Sequence, residues 1–140
     1  RCDKIRISIM ETILRTYYSS KKVEDTNLSI KLFKRNQKAL ILMSKIILKE
    51  INSSNLRKYN ISIIKSLVEA GSGSLPTEKI DSIAITFKNT KVSANYLYKK
   101  FLNSSTPTIG YINNDTYHID LKAIPEDQVE LLISNINKIL

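Results

Sequence analysis

Thr106-Pro107-Thr108-Ile109-Gly110-Tyr111-Ile112, Asn113-Asn114-Asp115 and Thr116-Tyr117-His118-Ile119-Asp120-Leu121 follow one another without interruption, and their reading decides the fold. Ile109 to Ile112 and Tyr117 to Leu121 are two β-rich runs. The polar Asn113-Asn114-Asp115 between them supplies turn chemistry, so the segment predicts a hairpin. Pro125-Glu126-Asp127 comes next. Proline suits the first turn of a helix, where its missing N–H is no loss, and the two carboxylates suit the positive end of the helix dipole. With Lys138 near the negative end, a last helix is predicted over the remaining residues.

Upstream of the hairpin, a short helix is predicted from about Ser93 to Leu102, with Leu97 and Phe101 facing inward. Before it, Ile61 to Val68 and Ser82 to Phe87 read as strands, the second alternating in the manner of a half-buried one. Gly71-Ser72-Gly73-Ser74-Leu75-Pro76 lies between them. This loop lacks the Gly-Lys-Ser/Thr ending of a phosphate-binding loop and opens no helix, so by itself it reads as a flexible strand connection. The first third of the chain is helical. Ile5, Ile9, Ile13 and Tyr17 recur every four residues from Asp3 to Tyr18, and Ser19 to Asp25 ends that helix. Thr26 or Asn27 then caps a second, long helix to about Ile51, with Leu28, Leu32, Leu40, Met43, Ile47 and Ile51 on its core side. Lys31, Lys34, Lys38, Lys45 and Lys49 form a basic stripe opposite. The order helix-helix-strand-strand-helix-hairpin-helix predicts an α+β fold: long N-terminal helices, then a small antiparallel sheet with helices packed on one face.

The 140 residues suffice for one domain with a core. No apolar stretch approaches the roughly 20 residues that span a bilayer, and Leu40 to Leu48 is broken by Ser44 and Lys45, so no membrane association is expected. Arg1 rather than Met at the start, with no signal-like run after it, suggests part of a longer cytoplasmic protein. Arg1 to Lys58 holds 14 Lys and Arg against 5 Asp and Glu, whereas Tyr59 to Leu140 holds 8 of each, so the whole excess of +9 lies in the first 58 residues. Such a half invites an anionic partner such as RNA, but a solvated lysine-rich face is the plainer reading of it. The single cysteine, Cys2, excludes an internal disulfide and reads as an inert thiol. His118, the only histidine, excludes a multi-histidine metal site and reads as a strand surface residue; no metal is expected.

Taken with two other segments, the closing stretch resembles the end of the bacterial selenocysteine synthases, the L-seryl-tRNA(Sec) selenium transferases. There a "PPVIGRI, turn, LLLDLRTV, PEDE" pattern closes the chain. Arg1-Cys2-Asp3-Lys4 resembles the family's "RVDK" and Gly71 to Pro76 its "GGGSLP" loop, in the same order. Tyr111 stands where the pattern usually has Arg, and Ser72 where it has Gly.

The resemblance implies the following expectations. Residues 1–25 would be a helix leading from a large pyridoxal-phosphate (PLP) domain, and residues 26–140 a small α+β domain like the C-terminal domain of fold-type I PLP enzymes. The parent would bind PLP on a lysine upstream of Arg1 and convert seryl-tRNA(Sec) to selenocysteinyl-tRNA(Sec), with selenophosphate as donor, as a homo-oligomer. This chain alone would then be inactive. Arg1, the last arginine of an "R-x-x-R-V-D-K" run, would hold the anionic selenium donor. Gly71, Ser72, Gly73 and Ser74 would form an active-site loop, and Lys31, Lys34, Lys38, Lys45 and Lys49 are candidates for the tRNA backbone. Two alternatives stay open: a related PLP lyase or transferase acting on a small amino acid without tRNA, and a noncatalytic basic RNA-binding or assembly module.

Overall fold

The computed structural model describes residues 2–19, 23–69 and 79–140. Two compact units divide the chain, Arg1–Arg35 and Asn36–Leu140.

The first unit holds α1 (Lys4–Ser19), α2 (Val23–Thr26) and α3 (Leu28–Lys34). Asp3 starts α1, its carboxylate accepting from the Arg6 N–H at 2.9 Å. The period-four apolar stripe has the predicted helix but not the predicted burial. Ile5, Ile9, Ile13 and Tyr17 are all exposed, as are Met10, Leu14 and Tyr18, because none of the described residues of this unit is buried. Asn27 caps α3 by accepting from Ile30 N–H at 3.1 Å.

The long helix expected to reach Ile51 is not continuous. Arg35 (ψ 121°) and Asn36 (φ −82°, ψ 163°) leave helical geometry. The Asn36 side chain accepts from Ala39 N–H at 2.9 Å, starting α4 (Gln37–Glu50) afresh. An asparagine that can satisfy an orphan amide favours a cap over a helix interior. The break expected at Asn52 to Asn55 is likewise a helix, α5 (Ser53–Lys58), with Asn52 at its N-cap position.

The second unit is α+β. Strands β1 (Ser62–Glu69), β2 (Lys79–Phe87), β3 (Tyr111–Asn113) and β4 (Thr116–Asp120) form an antiparallel sheet in the order β1-β2-β4-β3. The hairpin turn is tighter than expected. Asn113 pairs with Thr116, and Asn114 (φ 47°) and Asp115 (φ 53°) form the turn. Positive φ at both central residues matches the twist of the strands, and Asn and Asp tolerate it best after Gly.

Side chains alternate between sheet faces. Ile83, Ile85, Phe87, Tyr117 and Ile119 therefore share one face, and all are buried. They join Leu40, Met43 and Ile47 of α4, Leu97 and Phe101 of α6 (Ala94–Leu102), and Leu132, Ile136 and Ile139 of α7 (Val129–Ile139) in one core. Ser93 caps α6, accepting from Tyr96 N–H at 3.2 Å. A 3₁₀ turn at Glu126–Gln128 precedes α7, so Pro125 begins that turn rather than the helix itself. Within the core, Phe87, Phe101 and Tyr117 have ring centroids 5.1 to 5.8 Å apart. Burial, with a smaller contribution from Tyr98, pushes the Tyr117 phenol well above its usual value, and its hydroxyl donates to the Thr108 carbonyl at 3.2 Å.

Two expectations change here. Strand β2 is not half-buried, since Ser82, Ala84 and Thr86 on its other face are buried too; it is an inner strand, flanked on both sides. His118 is not a surface residue but 6% exposed. No described helix is long and apolar enough to cross a membrane.

Candidate functional site

The sheet face turned away from the core is polar. By register it carries Ser62, Ile64 and Ser66 of β1, Ser82, Ala84 and Thr86 of β2, His118 and Asp120 of β4 and Tyr111 of β3. Asp120 organises one end. Its carboxylate accepts from Ser66 Oγ at 2.6 Å, from Ser82 Oγ, and from the Lys122 N–H at 3.0 Å. A carboxylate with that many donors is an acceptor hub that ties β1, β2 and β4 together. Ser62 and Thr86 hydroxyls pair at 2.7 Å.

At the other end Tyr111 lies flat on His118, with centroids 4.8 Å apart and planes 12° from parallel. The imidazole is nearly buried, and neither Nδ1 nor Nε2 has a hydrogen-bond partner among the described residues. Tyr111 stays 40% exposed. Burial, and secondarily the Asp120 charge, raise its phenol above the usual value. A groove of about 560 Å³ runs beside this pair, lined by Ile64, Lys65 and Ser66 on one side, Asn113 on the other and Gln37 from α4.

Gly110 makes the stack possible. A Cβ there would collide with the His118 carbonyl and come within 2.7 Å of the Tyr117 ring, so only glycine lets the start of β3 lie this close to β4. The loop before it is held from below by Asn135, a buried side chain whose Nδ2 donates to Thr106 O and Thr108 Oγ1, each at 2.8 Å.

The residues singled out in the sequence are scattered differently. Arg1 and Gly71, Ser72, Gly73 and Ser74 lie outside the described residues. The basic stripe is not one stripe: Lys31 and Lys34 belong to α3, and Lys38, Lys45 and Lys49 to α4, because the helix ends between them. Lys34 gives its ammonium to Glu24 at 3.0 Å. Lys38, Lys45 and Lys49 are exposed, and spacings of seven and four put them on one side of α4, away from Leu40, Met43 and Ile47. Cys2 is a free, exposed thiol. Among the described residues no cluster of His, Cys, Asp or Glu could hold a metal ion.

Sequence reasoning missed the Tyr111–His118 stack and the Asp120 hub. The alternation in Thr116 to Asp120 was a signal for them, since it sets His118 and Asp120 on one face and Tyr117 and Ile119 on the other.

Comparison with known proteins covers nearly the whole chain. A family model described as SelA, L-seryl-tRNA selenium transferase, matches residues 1–125. Three similar relatives carry the name L-seryl-tRNA(Sec) selenium transferase. That of Mannheimia succiniciproducens is 32% identical over 89% of this chain and 27% of its own length. That of Haemophilus influenzae strain PittEE is 28% identical over 99% and 30%, and that of Desulfotalea psychrophila is 24% identical over 96% and 29%. The chain thus spans less than a third of the length of these curated relatives.

Proposed function

The chain belongs to the L-seryl-tRNA selenium transferase family, and from that premise we propose that it is the C-terminal part of an enzyme converting seryl-tRNA(Sec) to selenocysteinyl-tRNA(Sec) with selenophosphate. One observation carries this reading: the family match runs through 125 consecutive residues and includes all of β1 to β4, so it covers a folded unit rather than a short motif.

In this reading residues 1–25 connect a preceding PLP domain to the unit described above. The full absence of burial on α1 supports that role, because a helix with apolar residues on more than one side needs cover from elsewhere. Bound to the parent, PLP supplies an electron sink for loss of water from the seryl group. In this reading the Schiff-base lysine is not one of the described residues. Lys122, a buried lysine, directs its ammonium to the Asp81 carbonyl at 3.4 Å, and Lys65 is exposed on β1. Following the family resemblance, the attachment lysine is assigned to the preceding part of the parent. Arg1 is assigned to the selenium donor, since the guanidinium's fixed fork of N–H groups matches phosphate-like oxygens. The Gly71 to Ser74 loop is assigned to the margin of the same site. Lysines on α4 are assigned to tRNA phosphates, which they would bind without reading sequence.

The test is selenium incorporation by the full-length parent supplied with seryl-tRNA(Sec), PLP and selenophosphate. Formation of selenocysteinyl-tRNA(Sec) is expected, and Arg1→Ala is expected to reduce it strongly at limiting donor while leaving the melting temperature unchanged. A parent that folds and binds PLP yet transfers no selenium from selenophosphate overturns the reading.

A further inference from the structure

We propose that the groove on the polar sheet face binds an unpaired nucleotide of an RNA strand, with the base stacked on Tyr111 and His118 acting as a positioning residue behind it. The identity of the partner rests on the tRNA reading above; the location of the site does not.

Four observations lead there. Tyr111 is an aromatic ring on an edge strand that remains 40% exposed, with its orientation fixed by a parallel ring 4.8 Å away. A base-stacking platform needs this combination of an open face and a rigid support, because every base offers a π-face and ordering a free side chain costs entropy. Next, the supporting ring is chemically wasteful. His118 buries two ring nitrogens with no partner among the described residues, where an apolar ring would pack without that penalty. An unsatisfied buried polar group calls for an explanation other than stability. Beside the platform, the Asn113 and Gln37 amides offer donors and acceptors to a base edge, and Ile64 offers an apolar wall. The volume of about 560 Å³ lies within the range of small-ligand sites. Finally, the unit that holds the groove, Asn36–Leu140, carries 13 Lys and Arg against 9 Asp and Glu, and a positive unit favours a polyanion over a neutral ligand.

RNA with unpaired bases is the class that uses a planar ring and amide hydrogen bonds together. Base-paired RNA does not fit, since its bases are already stacked.

The experiment uses the 140-residue chain and a trinucleotide RNA with 2-aminopurine at its centre, whose fluorescence is quenched by stacking on an aromatic ring. Wild type should bind and quench. Tyr111→Leu should weaken binding roughly 5- to 150-fold, the range for removal of one base–aromatic stack, and abolish quenching while leaving the salt dependence unchanged. Tyr111→Phe should keep both binding and quenching, which guards against a variant that only fails to fold, and His118→Phe should keep quenching but bind more weakly, since it keeps the supporting ring and loses both nitrogens. Absence of quenching with wild type overturns the proposal, and so does Tyr111→Leu binding as wild type does. So does a Tyr111-dependent self-association of the chain without RNA quenching, which would assign the face to a second copy. None of these readouts needs PLP or selenophosphate, so quenching can hold while selenium transfer fails, and the reverse.

Discussion

Gly110 and Asn135 set the position of the polar face from outside the groove. Gly110→Ala forces a methyl group into the His118 backbone carbonyl and against the Tyr117 ring. Backbone cannot rotate away as a flexible side chain can, so β3 must move off β4. The expected cost is about 1 to 3 kcal/mol, the range for overpacking, read as a lower midpoint in denaturant unfolding; an unchanged midpoint would show that β3 shifts freely. At this scale the sequence was partly legible. Leu97 and Phe101 were rightly placed in the core, whereas nothing in Ile109-Gly110-Tyr111 singled out the glycine. His118 was misread because burial of a strand residue depends on its neighbours across the sheet. Tyr111 covers it, and nothing local in Tyr117-His118-Ile119 announces that.

For the elements, the division of the expected long helix into α3 and α4 matters most. The lysines divide with it, and Lys34 is engaged with Glu24, so α4 is the sharper test of phosphate binding. Replacing Lys38, Lys45 and Lys49 together with Gln should weaken RNA binding of all sequences about equally. For each phosphate no longer neutralised, the logarithmic salt slope should become shallower by up to about 0.7 for single-stranded RNA or about 0.9 for a duplex. Titration at several salt concentrations measures this, and an unchanged slope would leave α4 a solvated face. The break itself was hard to see because Leu28, Leu32 and Leu40 keep helical spacing across it. The signal was Asn36, which satisfies Ala39 N–H and so competes with helix continuation. The helix α5 was missed for the opposite reason: its polar residues read as a loop, although Asn55 is buried. The hairpin and α6 were legible because their caps and turn residues act locally, through Asn114, Asp115 and Ser93.

Taken whole, the molecule concentrates its stability in one unit. Among the described residues, every buried hydrophobic one lies between Leu40 and Ile139, and the described part of the first 35 residues contributes none. A chain of residues 36–140 should therefore melt within a few degrees of the full chain in circular dichroism; a large drop would mean that the N-terminal helices contribute to its core. That unit closes through Asn137 on α7. Its amide donates to the Glu50 carbonyl at 2.9 Å and accepts from Asn52 N–H at 3.0 Å, filling the gap between α4 and α5 as a peptide group would. These partners are 87 and 85 residues apart in sequence. On a ribosome, α4 is made before β2 and α7, so the cover over Leu40, Met43 and Ile47 is complete only once α7 has been made. The interval is several seconds at about 5 to 20 residues per second. Asn137, which joins α7 to the gap between α4 and α5, therefore marks the moment in synthesis when the core closes.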